Sequence, residues 1–340
     1  MTTTLTETGW VFGGNQIGTW TEQADRVIRE DEIRIGVDIT VNTLAGDDSI
    51  VAGSEFGIAG IGILNRGTIN TGEGNDSITG SIKSTALATG LQNNGTITTG
   101  KGSDIVSGVA LEGLGGRKEG IINGGTIDTG KGSDIVRGIV QGANAVGIQN
   151  LGTILTGKDS DFVVGNASGM GSGTGIRNFL NGTINTGEGN DHIIGAGVTS
   201  GIVNESNSTI DTGEGNDYIT GRLIDGINGT GRSITNSGVI KTGDGEDIVD
   251  GLTGGFSSSL VSVGVIELGE GDDLVRGYGR QIIDGGSGYD TAELGIDYDQ
   301  SLFSLGSSSD IQIGDMTFNN VERFVFNDTV YSLQELQPTI

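Results

Sequence analysis

The chain has no cysteine and one proline in 340 residues. Without thiols there are no disulfides and no thiolate metal sites. Aromatic residues make up only 5%, too little bulk for one large globular core. No apolar run approaches the roughly 20 residues that a membrane-spanning helix needs. The stretch Met1 to Gly9 has neither a basic nor an apolar segment, so it does not read as a cleaved signal peptide. Bases are scarce too: 18 Lys and Arg against 44 Asp and Glu give a formal net charge of −26. Such a surface repels nucleic-acid phosphates and anionic membranes. It suits a protein that gathers cations, or one kept soluble by its charge.

What is abundant is glycine, at 66 residues with no collagen period. Together with a modest apolar fraction dominated by isoleucine and valine, this points to a turn-dense repeat fold built of strands. One phrase recurs: TGEGNDSITG at Thr71–Gly80, TGKGSDIVSG at Thr99–Gly108, TGKGSDIVRG at Thr129–Gly138, TGKDSDFVVG at Thr156–Gly165. Further copies start at Thr186, Thr212, Thr242 and Leu268, with a degenerate early one at Leu44 and a late one at Gly285. The aspartates of the ten copies are Asp48, Asp76, Asp104, Asp134, Asp161, Asp191, Asp217, Asp247, Asp273 and Asp290. Their spacings are 28, 28, 30, 27, 30, 26, 30, 26 and 17, a period within the range of solenoids.

A second phrase lies upstream in each unit: GILNRGTI at Gly62, GLQNNGTI at Gly90, GIINGGTI at Gly120 and GIQNLGTI at Gly147. A unit therefore reads as three short strands separated by glycine corners and followed by a variable loop. This predicts an all-β, right-handed parallel β-helix of about nine to ten coils, each coil burying its apolar face only against its neighbours. Residues 1–40, with Trp10, Trp20 and the charged stretch ADRVIREDEIRI, are expected to cap the N-terminal end. Residues 41–290 are expected to form the helix. Residues 291–340, rich in aromatics (Phe303, Phe318, Phe324, Phe326, Tyr331), are expected to cap the other end.

The GxGxD corner has the parts of a calcium site. Calcium takes 6–8 oxygens from carboxylates and carbonyls. A turn that aims carbonyls inward needs positive φ, which glycine adopts freely. The first variable position holds Glu73, Lys101, Lys131 and Glu188 among others, so it is expected to face solvent. The aspartate never varies among the copies. An Asx turn is the alternative reading, but asparagine would serve it equally well. Carboxylates stacked about 5 Å apart repel by roughly 1–3 kcal/mol per neighbour, which a cation would relieve. The expected ligands are the ten aspartates and turn carbonyls near Gly72, Gly74, Gly100, Gly102, Gly130, Gly132, Gly157, Gly187, Gly189, Gly213, Gly215, Gly243, Gly245, Gly269, Gly271, Gly286 and Gly288.

These corners resemble the G-G-x-G-x-D-x-U-x nonapeptide of the RTX, or hemolysin-type calcium-binding, family. Gly285 to Asp290 matches it in full, and the other copies match from the second glycine on. The tail Asn319–Leu333 is similar to the segment that closes many RTX chains. The resemblance implies Ca2+ held between neighbouring turns and type I secretion through an uncleaved C-terminal signal, hence an extracellular protein. The chain departs from the family in having one corner per coil, so a single metal column of about eight or nine ions is expected. Threonine usually stands for the first glycine of the nonapeptide. Asp159 replaces the second motif glycine of its turn and Ala45 is read as replacing the first in the earliest copy, which marks their two turns as the weakest sites. The short last step leaves Asp290 either in line with the column or capping only its own turn, and the complete motif favours the first.

Other columns read as structural. Asn65, Asn93, Asn123, Asn150, Asn178, Asn204 and Asn236 suggest a ladder of stacked amides. The threonines that follow at Thr68, Thr96 and Thr126 lack the regular neighbours of an ice-binding array. His192 has no catalytic partner at a recognisable spacing and reads as an ordinary strand residue. The variable loops Val109–Glu119, Asn166–Thr174 and Arg222–Ser233 fall on one edge, the natural place for an extracellular polysaccharide or cell surface to bind. Two function classes follow: a secreted calcium-binding structural or adhesive protein that is not an enzyme, or a calcium-stabilised β-helix polysaccharide lyase or epimerase.

Overall fold

The computed structural model describes residues 10–12, 18–19, 23–57, 60–84, 86–111, 116–169, 171–224, 231–252, 259–305 and 310–336. Strands make up 63% and helix 2%, and the strands wind into a parallel β-solenoid of about nine turns. A typical coil has strands Ala88–Asn93, Thr96–Lys101 and Ile105–Leu111. Each lies parallel to its counterpart in the next coil, Lys118–Asn123, Thr126–Lys131 and Ile135–Gln141, with motif residues in register. The third strands stack into a 13-stranded sheet, and the first and second strands share a 23-stranded one.

The alternation of the sequence fixes which side chains point inward. Leu91, Ile97 and Val106 are fully buried, and the next coil stacks Ile121, Ile127 and Val136 on them. Each such side chain contributes about 1.5–3 kcal/mol by burial, and the cover comes from the coils above and below. The recurring glycine of the third strand has a separate cause. A Cβ on Gly108 would lie 2.0 Å from the Gly120 carbonyl oxygen, because the first and third strands meet there backbone to backbone. The Asn corner is held as expected. Asn93 Nδ2 donates to Asn123 Oδ1 at 2.9 Å, Asn123 to Asn150 at 2.9 Å and Asn150 to Asn178 at 2.8 Å, all fully buried.

The 17-residue step narrows the coil. Leu260–Glu270 and Gly279–Ser287 each run as one long strand and pair across a register shift, so the asparagine corner is dropped. Gln281 ends the amide ladder, accepting from Asn236 Nδ2 at 3.1 Å and donating to the Asn236 carbonyl at 3.0 Å.

Both ends differ from the expected caps at 1–40 and 291–340. Arg26–Arg29, Ile33–Ile35 and Thr40–Asn42 already form a coil in parallel pairing with the next. Trp10–Phe12 and Gly18–Thr19 pair onto that coil in turn, while Trp20 lies outside the described residues. The charges of the stretch sit at outward positions, as the buried–exposed–buried order of Ile33, Arg34 and Ile35 shows. At the far end, Met316–Asn319 and Arg323–Val325 add one further parallel layer. Antiparallel pairing then closes the stack, with Ile311–Ile313 joining Phe303–Leu305 to Met316–Asn319, and Val330–Ser332 returning on Arg323–Val325. The aromatic core expected there is present: Phe318 packs edge-on against Phe324, and Tyr298, Phe303, Phe326 and Tyr331 cluster beside them.

Candidate functional site

The GxGxD corners stack directly on one another. Gly72 has φ 100° and Gly74 φ 140°, and the equivalent glycines of the other coils repeat these values. A Cβ on Gly132 would stand 1.9 Å from the Gly102 carbonyl oxygen, so successive turns are in backbone contact. Hydrogen bonds zip them: Gly74 N–H donates to the Lys101 carbonyl at 2.8 Å, and Lys101 N–H to the Gly72 carbonyl at 3.0 Å. One lone pair of these carbonyls is thus engaged, and a second remains on each oxygen.

Two turns lack a motif glycine. Asp159 adopts φ 75° in the place of the second glycine, as the sequence indicates. In the earliest copy the residue in the first glycine's place is Leu44, with φ 77°, and not Ala45. Ala45 bridges Glu73 and so occupies the solvent-facing variable position. That copy is aligned by counting back from Asp48, which the apolar Leu-Ala pair obscures.

All ten motif aspartates fall in one column and are 0–2% exposed. The backbone N–H of each donates to Oδ1 of the next: Asp104 to Asp134 at 2.7 Å, Asp134 to Asp161 at 2.7 Å, Asp161 to Asp191 at 2.8 Å. The series starts at the Asp25 amide, which donates to Asp48 Oδ1 at 2.7 Å. It passes through Asp290, which accepts from Asp273 N–H at 2.9 Å, so the narrow coil keeps its corner in line. It ends at Glu322, whose Oε2 accepts from the Asp290 amide at 2.8 Å. Neither Asp25 nor Glu322 carries the motif, so no repeat-based reading finds them.

The second carboxylate oxygen is different. In all ten aspartates Oδ2 is buried and has no hydrogen-bond partner. Burial pushes the carboxyl pKa up to about 7 at Asp134, Asp161, Asp217 and Asp273, and up to about 6 at Asp76 and Asp290. Asp48, Asp104, Asp191 and Asp247 are raised for the same reason. The threonine five residues before each aspartate from Asp48 to Asp247 stands beside the carboxyl and eases its ionisation, as Thr129 does for Asp134. Its hydroxyl reaches the next coil, with Thr99 Oγ1 donating to the Thr129 carbonyl at 3.1 Å. The threonine that replaces the family glycine is therefore a buried tie between corners.

A counter-running ladder lies one residue earlier and faces solvent. Asp47 Oδ1 accepts from the Asn75 amide, Asn75 Oδ1 from the Ser103 amide and Asn190 Oδ1 from the Asn216 amide, each at 2.8 Å. This accounts for the short acceptor side chains at that position. The first variable residues are exposed as expected, and Lys101 pairs with Glu73 at 2.5 Å.

Among the described residues no three acidic or histidine side chains converge on one point that could hold a metal ion. The column instead offers one partnerless carboxylate oxygen per corner, a neighbouring hydroxyl and turn carbonyls. That is an all-oxygen donor set, which suits a hard cation such as calcium. His192 stacks on Phe162 with ring centroids 4.8 Å apart and meets the edge of Tyr218, an aromatic stack on the outer sheet face. The prominent non-repeating charge cluster on that sheet, Arg276 with Asp250 and Glu293, is satisfied within itself. No helix among the described residues is long and apolar enough to cross a membrane. Comparison with known proteins finds no matching family model, curated protein or solved structure.

Proposed function

We propose that the chain is a calcium-binding β-solenoid, similar in its corners to RTX proteins, secreted and serving a structural or adhesive role. The observation that carries the reading is the column of ten buried Oδ2 atoms without partners. A buried carboxylate oxygen without a partner costs about 1–3 kcal/mol or more, and here the cost recurs at every coil. Oδ2 of each motif aspartate would hold the ion together with turn carbonyls at the motif glycines. When bound, calcium supplies positive charge that offsets the repulsion along the column. The chain's own residues do the rest. The amide-to-Oδ1 bonds fix each carboxylate, the threonines tie each corner to the next, and the stacked isoleucines keep the coils in register. Nine ions, the upper figure of the expected eight or nine, would correspond to the nine gaps between the ten corners. The resemblance of the corners to RTX repeats is what supports an extracellular setting, and the loop edge is the proposed contact with polysaccharide or a cell surface.

The test is metal analysis and circular dichroism of chelated protein titrated with calcium. The reading predicts uptake of about eight or nine ions per chain and a rise in melting temperature. Unchanged melting and less than one ion per chain would overturn it.

A further inference from the structure

The outer face of the 13-stranded sheet differs from the rest of this acidic surface. In its strands the residues one, three and five places after the motif aspartate point away from the core. Over the seven coils from Ser49 to Arg222 these positions hold no aspartate or glutamate, and their only formal charges are Arg137 and Arg222. The chain as a whole carries 44 acids against 18 bases, so this face has the opposite balance. Its middle is apolar: Ile105 and Ile135 lie in register, Val164 and Ile194 likewise, all four half-buried, and Phe162 is 36% exposed. The outward positions of the second strands, by contrast, hold Asp128, Asp211, Lys241 and Glu267. One acid stands further along these strands, Glu55, in register with Lys83. The next coil brings Asp250, which is tied to Arg276.

We propose that two copies of the chain pair through this face, sheet against sheet. A molecule of net charge −26 repels its own copies over most of its surface, and this face lacks the acids that cause it. The rings of Phe162 and His192 lie within 3° of parallel and cover each other, so they offer edges and not open faces for a sugar ring to stack on. That leaves a surface of aliphatic and small polar side chains suited to another sheet. Seven strands about 4.8 Å apart and about 20 Å long give roughly 670 Å2, close to the roughly 800 Å2 that each partner buries in a standard interface.

Sedimentation velocity of the whole chain from about 1 to 200 µM tests this, with a micromolar dimer as the expected result. Ile135→Asp and Ile194→Glu each place a charge on the face and are expected to weaken dimerisation on the order of 100-fold. Thr183→Glu, on the outer face of the other sheet, leaves it unchanged. Circular dichroism of each variant checks that the coil is intact. Wild-type protein that stays monomeric over the whole range overturns the proposal without recourse to any variant. A dimer indifferent to both charges in folded variants also overturns it, as does a monomer that uses this face for a different macromolecule.

Discussion

Metal-free protein should lose stability as the pH rises from about 4 to about 7, because the buried column must ionise. The folded corners at Asp134 and Asp161 hold their protons up to about pH 7, whereas an exposed aspartate releases its proton near 3.8. The folded state therefore binds more protons across that window, and stability falls with rising pH. The contribution is fully present below the unfolded value and gone above the folded one. Each unit of difference is worth about 1.4 kcal/mol, so one corner titrating alone would account for about 4 kcal/mol. Neighbouring carboxyls share their protons, so the ten corners add to less than ten times that. Asp161→Asn is the informative perturbation. Asparagine keeps an Oδ1 to accept from the Asp134 amide and removes one proton from the titration. In chelator, urea midpoints converted to free energy should give a pH slope shallower than wild type by about 1 kcal/mol per unit. Near neutral pH the variant should be the more stable protein without calcium and the less stable with it. A wild-type stability that is flat or rising over this window in chelator would refute the reasoning, as would a variant weaker than wild type in both conditions.

Asp161→Ala should release about two ions and Asp48→Ala about one, because an interior corner serves two neighbouring sites; equal losses by calcium titration would exclude bridging. Asn150→Ala deprives Asn123 Nδ2 of an acceptor and Asn178 Oδ1 of a donor, and should lower unfolding free energy by about 2–4 kcal/mol. Gly132→Ala drives a Cβ to 1.9 Å from a carbonyl oxygen at φ 116°, and should cost more than about 3 kcal/mol in thermal unfolding. Gly124→Ala meets only the flexible end of Asn94 at 3.1 Å and should change stability by less than about 1 kcal/mol. Glu322→Ala leaves the Asp290 amide without its carboxylate acceptor and should cost about 1–2 kcal/mol, with Glu322→Gln close to wild type.

The coil was legible because its parts repeat. Strand alternation, the asparagine column and the aspartate column each recur at the same offset, so one physical account covers every copy. Bonds that join coils were harder to see. A threonine whose hydroxyl reaches a carbonyl 26 to 30 residues away looks, in sequence, like a threonine in any strand. The short acceptors before each aspartate likewise read as local turn formers, although their acceptors serve the following coil. The ends were misjudged for a related reason. Arg26–Arg29 has the inward valine of a third strand, but no glycine turn precedes it to announce a corner. Met316–Asn319 and Arg323–Val325 continue the stack only after an intervening hairpin has broken the count. Period searching detects corners, and these coils lack the corner while keeping the pairing.

The direction of the buried ladder gives the two ends unequal parts. Each carboxylate accepts from the preceding coil, so a corner's own amide is satisfied only when its successor is in place. The first amide, at Asp25, needs only Asp48, but the last aspartate needs an acceptor that no further repeat supplies. Glu322 fills that need from the closing layer, and the same layer returns the amides of Glu322 and Arg323 to the Asp290 carbonyl at 3.1 and 3.0 Å. The C-terminal layer is thus bonded to the column from both sides of one corner. In a solenoid whose stability is the sum of neighbour contacts, ordering can start at any coil, and the extra bonds of this terminal unit favour a start there. Folding that starts at this end satisfies each new aspartate amide at once, on the carboxylate already in place, and leaves the newest Oδ1 open until the next coil is added. Folding from the other end satisfies each new Oδ1 at once and leaves the newest amide open, and at Asp290 that amide finds its acceptor only in the closing layer. Removing the residues after Asp290 should therefore slow refolding more than removing the residues before Asp25, as stopped-flow circular dichroism in calcium would show. Equal rates for the two truncations would show that the ladder's direction has no part in how the coils assemble.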